Sequence, residues 1–202
     1  MTKEQFDQNF RRLYAFLHPI FKVLYPWKVI GQENIPEGAC VICPNHTYWN
    51  DPFCVVFAFG KQFVMRAMAK IEIIQWPVVG PVLAKCGVFG VDRGNADMKA
   101  ARMAMKSLKE GSKLLMFPEG TRVKEGESVD AKAGAALFAT RCNVPLLPVY
   151  IYNPKKLFKR STVVVGQPYM PEYEGRKATS EELQKIVQDL QARIYALEEA
   201  AK

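Results

Sequence analysis

The sequence predicts an α/β fold, a single domain with a mixed sheet flanked by helices and an N-terminal amphipathic helical segment ahead of it. Three observations carry this expectation. Short apolar runs of strand length alternate with stretches that are apolar at helical spacing, the pattern of an α/β domain. The 202 residues, 49% of them hydrophobic, suffice for one ample core, and no composition break, internal repeat or low-complexity linker divides them. Residues 1–28 pair an apolar stripe with a basic face, which sets them apart from a domain over 29–202.

Within residues 1–28, Phe6, Phe10, Leu13, Tyr14, Leu17, Ile20, Phe21 and Leu24 fall on one helical face, and Arg11, His18 and Lys22 cluster on the opposite side. Pro19 is expected to kink this helix or to split it in two. His18, Pro19, Lys22, Pro26 and Lys28 interrupt the apolar run, so it falls short of the roughly 20 mostly apolar residues of a membrane span. A helix packed on the domain and a helix lying in a membrane interface both fit this pattern. Phe16, Val23 and Trp27, which add aromatic and aliphatic bulk outside the stripe, favour the interface.

The remaining elements follow in order. Cys40–Cys43 is an apolar strand ending in a loop that carries His46, and a helix runs from Pro52 to about Phe59. Lys61–Met68 reads as a strand, Gln75–Lys85 as a short helix rich in glycine and proline, and Gly87–Val91 as a strand. A helix over Asn95–Glu110 is capped by Asn95, closed by Gly111, and has Met98, Ala101, Met105 and Leu108 as its buried stripe. Leu114–Phe117, Pro145–Tyr152 and Thr162–Val165 are strands, and Ala131–Arg141 is a helix of small residues. Thr179 or Ser180 caps a final amphipathic helix that turns Leu183, Ile186, Val187, Leu190, Ile194 and Leu197 to the core.

A net charge of +8 points to anionic partners, whether nucleic acid, acidic proteins, phosphorylated metabolites or anionic lipid surfaces. Nucleic acid fits least well, because the lysines and arginines are scattered and the most basic helix is also strongly apolar. Five cysteines, an odd number with no secretory signal pattern, indicate a reduced cytosolic compartment. Cys40-x-x-Cys43-x-x-His46 has the look of a metal motif. Residues three apart on a strand point to opposite faces, however, and no second Cys/His pair completes a zinc site, so no metal is expected. Cys54, Cys86 and Cys142 read as small core hydrophobes.

The chemistry centres on Asn45-His46-Thr47-Tyr48-Trp49-Asn50-Asp51-Pro52. An acid that fixes the tautomer of an imidazole makes it a general base. Five residues apart on a regular helix would turn the two side chains about 140° from each other, so the chain must bend between His46 and Asp51. Pro52 supplies the bend, with Asp51 as the expected N-cap of the helix that follows. The same octapeptide also fits a histidine bonded to a capping aspartate for structure alone.

Two other strand ends carry charge. Val88-Phe89-Gly90-Val91 runs into Asp92-Arg93-Gly94, and Leu114-Leu115-Met116-Phe117 into Pro118-Glu119-Gly120-Thr121-Arg122. Ligands of α/β sheets bind beyond the carboxyl ends of the strands, so Arg93 and Arg122 are expected to clamp a phosphate, with Gly120 letting backbone approach it. Glu119 would hold Arg122 in place or accept a hydrogen bond from a substrate hydroxyl. A solvated surface ion pair is the alternative for either loop.

Four blocks in order, Asn45-His46-x4-Asp51, Gly87–Arg93, Phe117–Arg122 and Val144–Val149, resemble the membrane-associated glycerolipid acyltransferases, over roughly residues 27–170. Tyr48 stands where many members of that family have serine. The resemblance implies acyl transfer from an acyl thioester, acyl-CoA or acyl carrier protein, to the free hydroxyl of 1-acyl-sn-glycerol-3-phosphate, giving phosphatidic acid for phospholipid synthesis. Glycerol-3-phosphate or another lysolipid is the alternative acceptor. His46 would be the base and Asp51 its orienting acid. Arg93, Glu119, Gly120, Thr121 and Arg122 would hold the acceptor. No cofactor beyond the thioester co-substrate is implied, and no Gly-x-Ser-x-Gly elbow is present, so direct transfer is favoured over an acyl-enzyme. Peripheral attachment to an anionic membrane at the cytoplasmic face is the expected setting. A non-catalytic membrane or carrier-protein adaptor is the reading from another class, and an intact His46, Asp51, Glu119 and Arg122 speak against it.

Overall fold

Seven strands make the central sheet: β1 (Trp27–Ile30), β2 (Val41–Pro44), β3 (Met65–Lys70), β4 (Val88–Val91), β5 (Lys113–Leu115), β6 (Leu146–Tyr152) and β7 (Ser161–Val165). The structure is a computed structural model that describes residues 1–92, 97–124, 127 and 129–202. Across the sheet the order is β1-β7-β6-β2-β5-β3-β4. From β6 to β4 all neighbours are parallel, while β7 runs antiparallel to β6 and carries β1 parallel to itself. The mixed sheet expected from sequence is therefore present.

Helices cover both faces. On one side Phe10 from α1 (Lys3–Leu24) and Cys54, Val55, Ala58 and Phe59 from α2 (Asp51–Phe59) pack on Ile42, Leu115, Leu147, Val149, Ile151 and Val163. On the other side α5 (Met98–Lys109), α6 (Gly134–Cys142) and α7 (Ser180–Ala196) pack on Val41, Leu114, Leu146 and Val164. Alternate residues of one strand thus enter different cores, and this explains why β2 and Leu114–Leu115 of β5 are apolar without alternation. Cys40 lies in the first core and Cys43 in the second, on opposite faces as their spacing requires. Short helices α3 (Ile71–Ile74) and α4 (Val79–Lys85) link β3 to β4, and α8 (Glu198–Ala201) ends the chain.

Several expectations are corrected. Pro19 does not split α1, which runs unbroken from its Thr2–Gln5 capping box to Leu24. His18, placed by spacing on the basic face, is half-buried and stacks on Tyr14 at 5.0 Å while meeting Trp27 and Phe57 edge-on. The apolar stripe of α1 is largely occupied in packing, with Phe21 stacked on Phe53 at 4.8 Å and Phe10 buried. Phe16, Ile20 and Val23 remain exposed. Trp27 and Lys28 belong to β1, a strand that spacing did not reveal because it sits at the sheet edge with a single neighbour.

In the Gln75–Lys85 region the helix begins later, at Val79, and the strand expected over Lys61–Met68 is shifted to Met65–Lys70. Asn95 lies outside the described residues, and the cap of α5 is Asp97, whose side chain accepts the amide of Ala100. The buried line of α5 is Ala100, Ala104 and Leu108, flanked by Ala101 and Met105, and Met98 is exposed. Thr179 caps α7 in a box with Glu182.

Candidate active site

Three adjacent parallel strands, β6, β2 and β5, release their chains at one edge of the sheet and set down Asn153, His46 and Glu119 there. β2 ends on Pro44, which has no amide to donate. The buried Asn45 side chain takes over the ladder to β6, donating to the carbonyl of Ile151 at 3.2 Å and accepting its amide at 2.7 Å. The backbone beside His46 is thereby fixed.

The chain then turns back on itself. Asp51 is fully buried, and its Oδ2 accepts the amides of Thr47 and Tyr48, both at 2.7 Å, together with His46 Nδ1 at 3.0 Å. Asn50, with no side-chain cap bond, precedes the helix, and Asp51 is the first residue of α2, one position on from the expected cap. Its carboxylate is engaged in closing the loop rather than in capping, and the positive end of α2 favours the negative charge there. Asp51 Oδ1 accepts from Asn153 Nδ2 at 2.8 Å.

With Nδ1–H donated to Asp51, the tautomer is set and the lone pair falls on Nε2, which meets no hydrogen-bond partner among the described residues. The imidazole stacks on Phe117 at 4.1 Å and is mostly enclosed. Such a ring can accept a proton at Nε2, with Asp51 placed to stabilise the resulting imidazolium.

Glu119 sits differently from the expectation. It is buried, and its Oε2 accepts the backbone amide of His46 at 2.9 Å while its Oε1 accepts the Tyr195 hydroxyl at 2.6 Å. No ion pair joins Glu119 to Arg122 among the described residues. Burial pushes the Glu119 carboxyl up, and the bonds from Tyr195 and His46 oppose that rise. Burial and the neighbouring carboxylate likewise raise Tyr195. Val123 returns a bond from its amide to the His46 carbonyl at 2.8 Å, so the two loops are tied twice.

Gly120 has φ of 69°, the left-handed region, and a Cβ there would stand 3.2 Å from Lys132 Cε. Thr121 and Arg122 are exposed at the same rim. Arg93 lies outside the described residues. Lys132, Asn153 and Tyr195 were missed from sequence. Asn153 had a usable signal, a polar residue at the carboxyl end of a strand, whereas Tyr195 lies on a helix more than seventy positions away with none. Two clefts of about 300 and 450 Å³ lie near the amino ends of β3 and β5 and involve neither His46 nor Asp51.

Residues 26–152 match the family model described as Acyltransferase. A 1-acyl-sn-glycerol-3-phosphate acyltransferase of Bacillus subtilis is 31% identical over 184 residues, which cover 84% of this chain and 90% of that protein. One of the same name from Streptococcus pneumoniae is 31% identical over 95% of this chain and 75% of its own length. The crystal structure of the 1-acyl-sn-glycerophosphate acyltransferase PlsC from Thermotoga maritima aligns with a TM-score of 0.67 at 24% identity, over 98% of this chain and 78% of the other, and shares its fold.

Proposed function

The chain belongs to the acyltransferase family, and on that premise we propose that it transfers an acyl group from a thioester to the free hydroxyl of 1-acyl-sn-glycerol-3-phosphate, giving phosphatidic acid. The observation that carries the proposal is the 3.0 Å bond from His46 Nδ1 to a fully buried Asp51 that is itself held by two backbone amides. An alcohol is a weak nucleophile at neutral pH, and a thioester is already activated, so the demand on the protein is a base and a place for the acceptor. His46 Nε2 takes the hydroxyl proton as the new C–O bond forms at the thioester carbonyl. The C–S bond then breaks, and the proton passes from His46 to the departing thiolate. The thioester is acyl-CoA or acyl carrier protein, and the scheme needs no resident cofactor.

Acceptor binding falls to the rim of the same edge. Gly120, Thr121 and Arg122 follow directly on Glu119, which acts by holding their loop to His46. Arg93 joins them on the strength of its motif, and the guanidinium forks suit a phosphate monoester. The setting we propose is peripheral, at the cytoplasmic face of an anionic membrane. No described helix is long and apolar enough to cross a bilayer, and α1 exposes Phe16, Ile20 and Val23 beside Arg12.

Purified protein incubated with lysophosphatidate in vesicles and labelled acyl-CoA or acyl carrier protein should yield labelled phosphatidic acid. Product formed only from glycerol-3-phosphate or another lysolipid would reassign the acceptor. Absence of transfer from either donor, with vesicle or carrier-protein binding intact, would overturn the catalytic reading in favour of an adaptor.

A further inference from the structure

The loop from Asn153 to Arg160 joins β6 to β7 and reads Asn153-Pro154-Lys155-Lys156-Leu157-Phe158-Lys159-Arg160. It begins at the site, where Asn153 holds Asp51 and its own Oδ1 accepts the amide of Lys155 at 2.9 Å. It ends against the last turn of α1, because the amide of Phe158 donates to the Leu24 carbonyl at 2.7 Å and that of Ser161 to Pro26 at 2.9 Å. In its turn Leu157 is 52% and Phe158 65% exposed, and Val23, which precedes the Leu24 that Phe158 bonds, is 64% exposed. Phe158 has φ of 61°, a conformation that bulky residues rarely adopt, so an aromatic ring is held outward against both backbone preference and hydrophobicity. Lys155, Lys156, Lys159 and Arg160 surround the pair, and none of them is ion-paired among the described residues.

We propose that this loop is a second membrane contact, inserting Leu157 and Phe158 into an anionic bilayer beside the active site while its four cations meet lipid headgroups. Two features favour a lipid surface over an acidic protein. The apolar residues stand in the turn with the charges around them, the order required to cross a headgroup layer into acyl chains. The loop is also anchored, through the Phe158–Leu24 backbone bond, to the end of α1 that carries the exposed Val23. The loop thereby ties bilayer contact to Asp51 through Asn153. The inference rests on the proposed function only in placing the acceptor in a bilayer.

The test compares three variants of the full chain: Leu157→Ser/Phe158→Asn, in which asparagine tolerates the positive φ, Lys155→Gln/Lys156→Gln, and Phe16→Ser/Ile20→Ser on α1. Each is co-sedimented with phosphatidylglycerol/phosphatidylcholine vesicles and with phosphatidylcholine alone, and assayed for turnover of a dispersed short-chain lysophosphatidate. The apolar loop variant should lose about tenfold or more in partitioning to both vesicles, with unchanged Tm and short-chain turnover. The lysine variant should lose about tenfold on the anionic vesicles only. Loop variants that partition like wild type while Phe16→Ser/Ile20→Ser falls would overturn the loop's role and leave α1 as the sole anchor. Unaltered vesicle binding with a raised KM for acyl carrier protein would overturn it in favour of a carrier-protein surface. Loop-dependent partitioning by a protein that transfers no acyl group would uphold the loop and remove the acyltransferase reading instead.

Discussion

The hydroxyl of Tyr195 on α7 donates to Glu119 Oε1 at 2.6 Å, and the other oxygen of that carboxylate holds the backbone amide of His46 at 2.9 Å. A helix near the C-terminus thus reaches the His46 loop through one buried acid. Burial holds the Glu119 carboxyl above the ordinary 4.5, and the Tyr195 bond moderates the rise. Tyr195→Phe should therefore raise it further. An acid with a folded value above its unfolded one keeps its full stability below about 4.5 and loses stability as pH climbs through the folded value. The deficit of Tyr195→Phe, about 1–2 kcal/mol, should accordingly be larger at pH about 7.5 than at about 5. Thermal melts at the two pH values decide it, and an equal deficit at both would reject it.

His46→Ala should lower turnover by the 10²–10⁴-fold that general base catalysis typically contributes, with little change in Tm, since His46 sits on a loop. Asp51→Asn should follow, because the two backbone amides keep a neutral carbonyl at the Oδ2 position, which stabilises an imidazolium far less than a carboxylate, and the new NH2 would face the Asn153 amide. A His46→Ala protein that kept more than about a hundredth of wild-type turnover would not be using this base.

Asn153→Ala should reduce kcat by between about ten- and a hundredfold, because Asp51 Oδ1 loses its donor and the imidazole its exact setting. Asn153→Asp should be worse, since it faces a buried carboxylate with a second one. Steady-state kinetics separate the cases: a rise in KM alone, with kcat intact, would make Asn153 a substrate contact rather than a positioning residue.

Arg122→Lys keeps the charge and loses the fork, so the acceptor's KM should rise more than the donor's. Equal shifts in both would argue against a phosphate clamp at this exposed rim.

The sequence and the structure agree best where one local rule suffices. The His46–Asp51 pair was legible because a proline and a five-residue interval force a bend, and α7 because Thr179 and Glu182 form a capping box. β1 was not legible, since four residues at a sheet edge carry almost no periodicity. Glu119 was read from its loop as a partner of Arg122 or of a substrate hydroxyl. What decides its partners is the parallel pairing of β2 with β5, which lays its loop against that of His46. Asn153 could have been found as a polar residue at the carboxyl end of β6, whereas Tyr195 is brought in by the packing of α7, which no local pattern encodes. For α1, Phe10 and Phe21 of the expected stripe pack inward while Ile20 is exposed and His18 is packed instead, and spacing does not say that α2 is the surface covering Phe21.

The last prediction follows from that packing. Arg66 is nearly fully buried in β3, and its Nη2 donates to Asp7 Oδ1 on α1 at 2.8 Å, with the guanidinium 4.9 Å above the Phe6 ring. A detachable anchor would not leave a buried cation dependent on it. Asp7→Ala should strand that charge and cost about 3–5 kcal/mol, and Phe10→Ala, which empties a core position, about the same. Phe16→Ser, on the exposed side of the same helix, should leave stability within about 0.5 kcal/mol. Denaturant melts of the three variants test whether α1 is a structural part of the domain. If Asp7→Ala and Phe10→Ala unfolded at the wild-type midpoint, α1 would be an appendage, and deletion of residues 1–28 would then be a clean test of membrane attachment. With the expected losses, that deletion would expose Phe53 and Phe57 and remove two residues of β1, so attachment is better tested by surface substitutions.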